Sequence, residues 1–125
     1  MSLIERLTDW PRSAEVAKRV VVIRDDGFSI MRGSAEASRV KWASVVEIAA
    51  FKHDLFSIDE ICLGFRVAGD DRFLWAGEED EGFVGLRHDV EDRFEGILPG
   101  WFNQVAFPAF EENWTTIWRR GADHA

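Results

Sequence analysis

Ile61-Cys62-Leu63-Gly64-Phe65-Arg66-Val67 is the stretch on which the fold turns. Ile61, Leu63, Phe65 and Val67 fall on one face of an extended chain, and Cys62, Gly64 and Arg66 on the other. A period of two puts large apolar groups against a core, the pattern of a strand with one buried face. Gly69-Asp70 follows as a turn pair, and Arg72-Phe73-Leu74-Trp75 reads as the returning strand.

Upstream the chain stays extended. Val20-Val21-Val22-Ile23 is a β-branched run. Asp25-Asp26-Gly27 after it is a hairpin signal, and Phe28, Ile30 and Arg32 alternate with Ser29 and Met31 on the return. Ser34 to Ser38 reads as a polar connection. Val40-Lys41-Trp42 starts another extended piece, continued by Val45 to Phe51, and His53 to Asp59 reads as a loop.

Downstream the period changes. Phe83, Leu86, Val90 and Phe94 make one helical stripe. Glu78-Glu79-Asp80-Glu81 precede it, where carboxylates stabilise a helix N-terminus. Arg87 with Glu91, and Asp89 with Arg93, are i,i+4 pairs of opposite charge. Gly82 and Gly85 weaken the first turns, and Gly96 and Pro99-Gly100 close the helix. Trp101 to Phe107 reads as a short second helix with Trp101 and Val105 on one side. Trp114-Thr115-Thr116-Ile117-Trp118 is β-rich and returns to a sheet edge, with Trp114, Thr116 and Trp118 on one face, buried or sticky. The expected class is α+β: a sheet carrying an amphipathic helix near residues 80–94. Residues 1–125 form one domain, with an N-terminal extension over 1–19, a β-rich core over 20–76, and a helix with a C-terminal extension over 80–125. In the first extension, Ser2 and Glu5 have capping-box spacing, and Trp10-Pro11 ends any helix there.

Composition narrows the function. A chain of 125 residues is one domain by length. Ten Phe and six Trp with no Tyr mean that aromatic rings dominate the core. The formal net charge of −8 argues against nucleic acid, whose phosphates need clustered Lys and Arg, and against an anionic membrane surface. It suits a basic partner, and it equally serves to keep a small protein in solution. One cysteine, Cys62, permits no intrachain disulfide and no cysteine-based zinc site. Met1 to Arg6 lacks the basic-then-apolar pattern of a signal peptide, and no apolar run is long enough to span a bilayer. The expected location is cytoplasmic, where the sequon Asn113-Trp114-Thr115 carries no meaning.

Chemistry-bearing residues are sparse. His53, Asp54, Asp59 and Glu60 are the one group that a small-ligand binder or enzyme would use, yet neighbours on a strand point to opposite sides. The bland alternative is a solvated loop. His88-Asp89 sits on the helix with no second His at i+3 or i+4. Cys62 lies between Ile61 and Leu63 beside acidic residues, a setting for a half-buried structural cysteine rather than a nucleophile. Phosphate-loop and nucleophile-elbow spacings are absent from the sequence. The expectation is therefore no catalytic residue, no cofactor and no metal. A non-enzymatic protein-binding or regulatory module is the first reading, with Trp114, Thr116, Trp118, Glu78, Glu79 and Glu91 as its interaction surface. An immunity-type acidic inhibitor of a basic toxin is a second reading, resting on Glu78 to Glu81 with Glu91, Asp92 and Glu95. A homodimer with a structural role is a further one.

The run Val40-Lys41-Trp42-Ala43-Ser44-Val45-Val46-Glu47-Ile48 resembles a signature of bacterial pleckstrin-homology-like single-domain proteins: a Trp, a polar residue, then Val/Ile-x-x-Ile. Asp59 to Leu63, Gly82-Phe83, Trp101 and Asn113 to Thr116 are similar to small bacterial proteins without an assigned function. The resemblance covers residues 19 to 95. It implies a bent antiparallel sheet, or partly open barrel, of six to seven strands capped by the amphipathic helix, and a binding or scaffolding role. Six strands before the helix, and about thirty residues after it, depart from the family pattern of seven strands and a terminal helix. The basic loop that holds phosphoinositides in that family is here Asp25-Asp26-Gly27, which repels phosphate.

Overall fold

The computed structural model describes residues 6–7, 18–55, 58–107 and 113–121, with backbone alone at 53–55 and 58–59. The Ser2–Glu5 capping box and Trp10 lie outside these residues. The alternation around the Asp25-Asp26 turn produces the first hairpin. β1 (Arg19–Arg24) pairs antiparallel with β2 (Gly27–Arg32), with Ile23 opposite Phe28 and Val21 opposite Ile30. β3 (Ala35–Lys41) completes a three-stranded sheet in the order β1-β2-β3. Residues 35–38 were expected to be a connection, and the structure makes them strand. They lie mostly exposed at the sheet's edge, where pairing with β2 needs no apolar face.

A 3-10 turn at Trp42–Ser44 leads to the second sheet. β4 (Val45–Leu55), β5 (Ile58–Val67), β6 (Leu74–Gly77) and β7 (Asn113–Arg119) assemble antiparallel in the order β6-β5-β4-β7. Of the expected loop over His53 to Asp59, residues 53–55 and 58–59 are instead strand, the ends of β4 and β5. Their register carries on from Phe51 opposite Cys62 to His53 opposite Glu60, Asp54 opposite Asp59 and Leu55 opposite Ile58. Backbone pairing propagates past the last core residues because each further step satisfies main-chain groups, whatever the side chains.

Helix α1 (Phe83–Arg93) begins three residues later than expected. Gly82 holds the left-handed conformation at φ 89°, which starts the helix there and leaves no acidic residue in its first turn. The run Glu78 to Glu81 forms the preceding turn instead, so its role is not to balance the helix dipole. Phe83, Leu86, Val90 and Phe94 are all buried, as the stripe requires. Arg87 reaches Glu91 at 3.5 Å and Arg93 reaches Asp89 at 3.7 Å on the outer side. Helix α2 (Trp101–Ala106) buries Trp101 and Val105.

The molecule is α+β, with the main core between the two sheets. Val21, Phe28, Ile30 and Val40 come from the first sheet. Val45, Ile48, Leu63 and Phe65 come from the second, and α1 and α2 close over them. Phe28 and Phe65 meet edge-on across the gap at 4.8 Å. The back of the second sheet is covered too: Ala49, Phe51, Cys62, Phe73 and Trp75 pack there with Leu7. Cys62 is therefore completely buried rather than half-buried, and its thiol is pushed well up by that burial. Among the described residues the strands do not close into a barrel.

Candidate binding cleft

Three separate elements bring aromatic rings to one surface. The 3-10 turn supplies Trp42, the end of α1 supplies Phe94, and the end of β7 supplies Trp118. Phe94 stands between the other two. Its ring meets Trp118 at 4.7 Å and Trp42 at 5.9 Å, both edge-on, the arrangement that aromatic quadrupoles favour. Trp42 is anchored from behind by Phe28 at 5.4 Å. Helix α1 stops at this point because Phe94 turns extended after its N–H bonds to the Val90 carbonyl at 3.1 Å.

These rings line an open depression of about 390 Å3, rimmed by Ala43, Arg93, Glu95 and Arg120. The Arg93 guanidinium lies 5.2 Å from the Trp42 ring centre, and that of Arg120 lies 5.4 Å from Trp118. Arg120 donates to the carbonyls of Val45 at 2.9 Å and Ala43 at 3.2 Å. The Trp118 indole N–H donates to the Glu95 carbonyl at 3.0 Å. Trp118 and Arg120 are thus held in place by hydrogen bonds. The Trp42 Nε1 has no acceptor among the described residues. Preset Trp rings beside Arg are the residue types that dominate binding energy at protein interfaces.

The residues singled out from sequence do not all come together. Trp114, Thr116 and Trp118 were expected on one face of β7, and the structure separates them. Ile48 stands opposite Trp118 and Ala49 opposite Thr116, so Ile117 is the extra residue of a bulge. One inserted residue flips the alternation. Trp118 faces the cleft, whereas Trp114 lies on the back of the sheet, stacked on Phe51 at 5.1 Å and edge-on to Phe73 at 5.0 Å. Thr116 donates its hydroxyl to Glu47 at 2.9 Å. Glu78 and Glu79 are exposed in the turn before α1 and Glu91 on its outer face. Glu78 also accepts the Ile61 N–H at 2.9 Å. Glu60 is buried beneath that same turn, where it accepts the Glu79 N–H. The side chains of His53, Asp54 and Asp59 lie outside the described residues. Among the described residues no group of three or more His, Cys, Asp or Glu side chains is placed to hold a metal. No described helix is long and apolar enough to cross a membrane.

Sequence reasoning missed Trp42, Arg93, Phe94 and Arg120 as a group. Each has a local role in its own element, and only the packing of α1 across both sheets unites them. No family model matches this chain, and no curated protein or solved structure is significantly similar to it.

Proposed function

We propose that this chain is a non-catalytic protein-binding module whose partner seats an apolar or aromatic side chain in the Trp42–Phe94–Trp118 cleft. The observation that carries the reading is the cleft itself: two half-buried Trp rings and a Phe, set by ring-on-ring packing and, for Trp118, by a hydrogen bond, and bordered by arginines. Aromatic walls with few rotatable bonds lose little freedom on binding, so most of their contact energy survives as affinity. Glu95 rims the cleft and Glu91 and Asp92 are exposed on the same end of α1, while Glu78, Glu79 and Glu81 are exposed at its opposite end. Those carboxylates favour a partner whose surface around the anchor is basic. The pleckstrin-homology-like resemblance is part of the same proposal and points the same way, toward binding rather than catalysis.

The test is affinity capture by the full chain, run beside Trp118→Ala and Trp42→Ala variants shown by circular dichroism to be folded. A protein held by the parent and lost from both variants supports the cleft. Capture that is indifferent to both substitutions removes it. A second reading, an inhibitor that covers a basic toxin, is favoured by the exposure of those same six carboxylates. It requires binding that weakens steeply with salt and survives loss of Trp118.

A further inference from the structure

The two sheets are joined at a second place, by the turn Gly77–Glu81. Its backbone binds β1 directly: the Val21 N–H donates to the Glu81 carbonyl at 2.7 Å, and the Glu81 N–H to the Arg19 carbonyl at 3.3 Å. Of its carboxylates, Asp80 alone is buried. Asp80 accepts the Gly77 N–H at 2.9 Å and pairs with Arg19 at 3.0 Å, with both side chains almost fully buried. Arg19 comes from β1, donates to the Trp75 carbonyl at 2.7 Å, and lies flat over the Trp75 ring at 3.6 Å. A second buried carboxyl, Glu60 of β5, accepts the Glu79 N–H at 3.1 Å. It sits so close over Gly77 that any side chain there would collide with it.

We propose that this joint is a proton-operated fastening between the sheets, tight while Glu60 carries a proton and looser when Glu60 and Asp80 are both ionised. The groups facing Glu60 explain the behaviour. The turn contributes Asp80, Glu79 and Glu78, and β5 contributes the Cys62 thiol. The first sheet contributes Arg19, beside which Arg32 acts on Arg19 and Asp80; in the backbone register residue 53 stands opposite Glu60. Arg19 is already committed to Asp80 and to the Trp75 carbonyl. An ionised Glu60 thus adds a negative charge to a buried, mainly acidic setting, where it is poorly hydrated.

Burial, reinforced by Asp80 and Glu79 and opposed by the Glu79 N–H and Arg19, pushes the Glu60 carboxyl up to about 7. A carboxyl raised on folding stabilises the fold below its ordinary pKa and loses that contribution as pH rises through the raised value. The loosening therefore runs from the ordinary carboxylate range up to about neutral pH and is complete just above it. The direct test is amide hydrogen exchange at Val21 and Glu81, whose N–H groups join the turn to β1, from pH 5 to 8, corrected for the intrinsic rise in rate. Protection in the parent is expected to fall several-fold across that range, and to stay level in Glu60→Gln, whose amide oxygen still accepts the Glu79 N–H. An identical fall in parent and variant overturns the proposal. Should Glu60→Gln not fold, carbon-detected titration of Glu60 beside the exchange at Val21 and Glu81 in the parent decides it: a fall in protection that levels off at the Glu60 midpoint supports the fastening, and protection that ignores that midpoint overturns it.

Discussion

Asp80 and Arg19 illustrate how much one side chain can carry. Neither side chain has appreciable contact with water, at 8% and 5% exposure. Removing one partner strands the other charge. Asp80→Ala should therefore destabilise by about 3–5 kcal/mol, read from urea unfolding at neutral pH. Glu47 is a third buried carboxylate, with a pH behaviour opposite to that of Glu60. Burial opposes its ionisation, but Thr116 at 2.9 Å, Arg66 at 3.2 Å and Arg119 at 3.2 Å outweigh it and hold its pKa below the ordinary value. Its contribution is present above the unfolded pKa and is lost as pH falls through the folded one. Glu47→Gln should lower stability at pH 7, by a penalty that shrinks as the medium is acidified through the lowered pKa. A penalty unchanged by acidification would contradict the assignment.

At the scale of elements, α1 offers a clean contrast. Leu86 is completely buried and Val84 is 68% exposed, two residues apart on one helix. Leu86→Ala should cost about 2–5 kcal/mol, whereas Val84→Ala should stay within roughly 0.5 kcal/mol. Similar losses would mean that the stripe does not face the core. That stripe was legible in sequence because apolar residues recurring every three to four positions fit a one-sided helix and little else. The period of two along Ile61 to Val67 was legible in the same way. The strand ends at 53–55 and 58–59 and the edge strand at 35–38 were not. Their pairing follows from neighbours already in register, and their own composition reads as loop. The β7 bulge was invisible for a related reason. Nothing local marks Ile117 as the residue that β4 leaves unmatched, yet that mismatch sends Trp114 and Trp118 to opposite faces. Trp114→Ala should accordingly loosen the packing around Phe51 and Phe73 and leave partner binding unchanged, by thermal unfolding and by capture. Trp118→Ala should do the reverse, with a stability cost inside the roughly 0.5–3 kcal/mol usual for single substitutions.

For the whole molecule, the core and the cleft have one origin. Helix α1 lays Phe83, Leu86 and Val90 between the sheets and delivers Phe94 to the surface where Trp42 and Trp118 already stand. The candidate surface was only half readable from sequence: Trp118 and the acidic residues were marked, while the other walls of the cleft arise from the crossing of three elements distant in the chain. Binding at the cleft is the central claim. It is tested most directly by the indole N–H signals of the six tryptophans, recorded in nitrogen–proton NMR spectra as the captured partner is added. Shifts at Trp42 and Trp118, with Trp75 and Trp114 unmoved, are the predicted result. Shifts at Trp114 alone, or at no tryptophan while the partner binds, would contradict it.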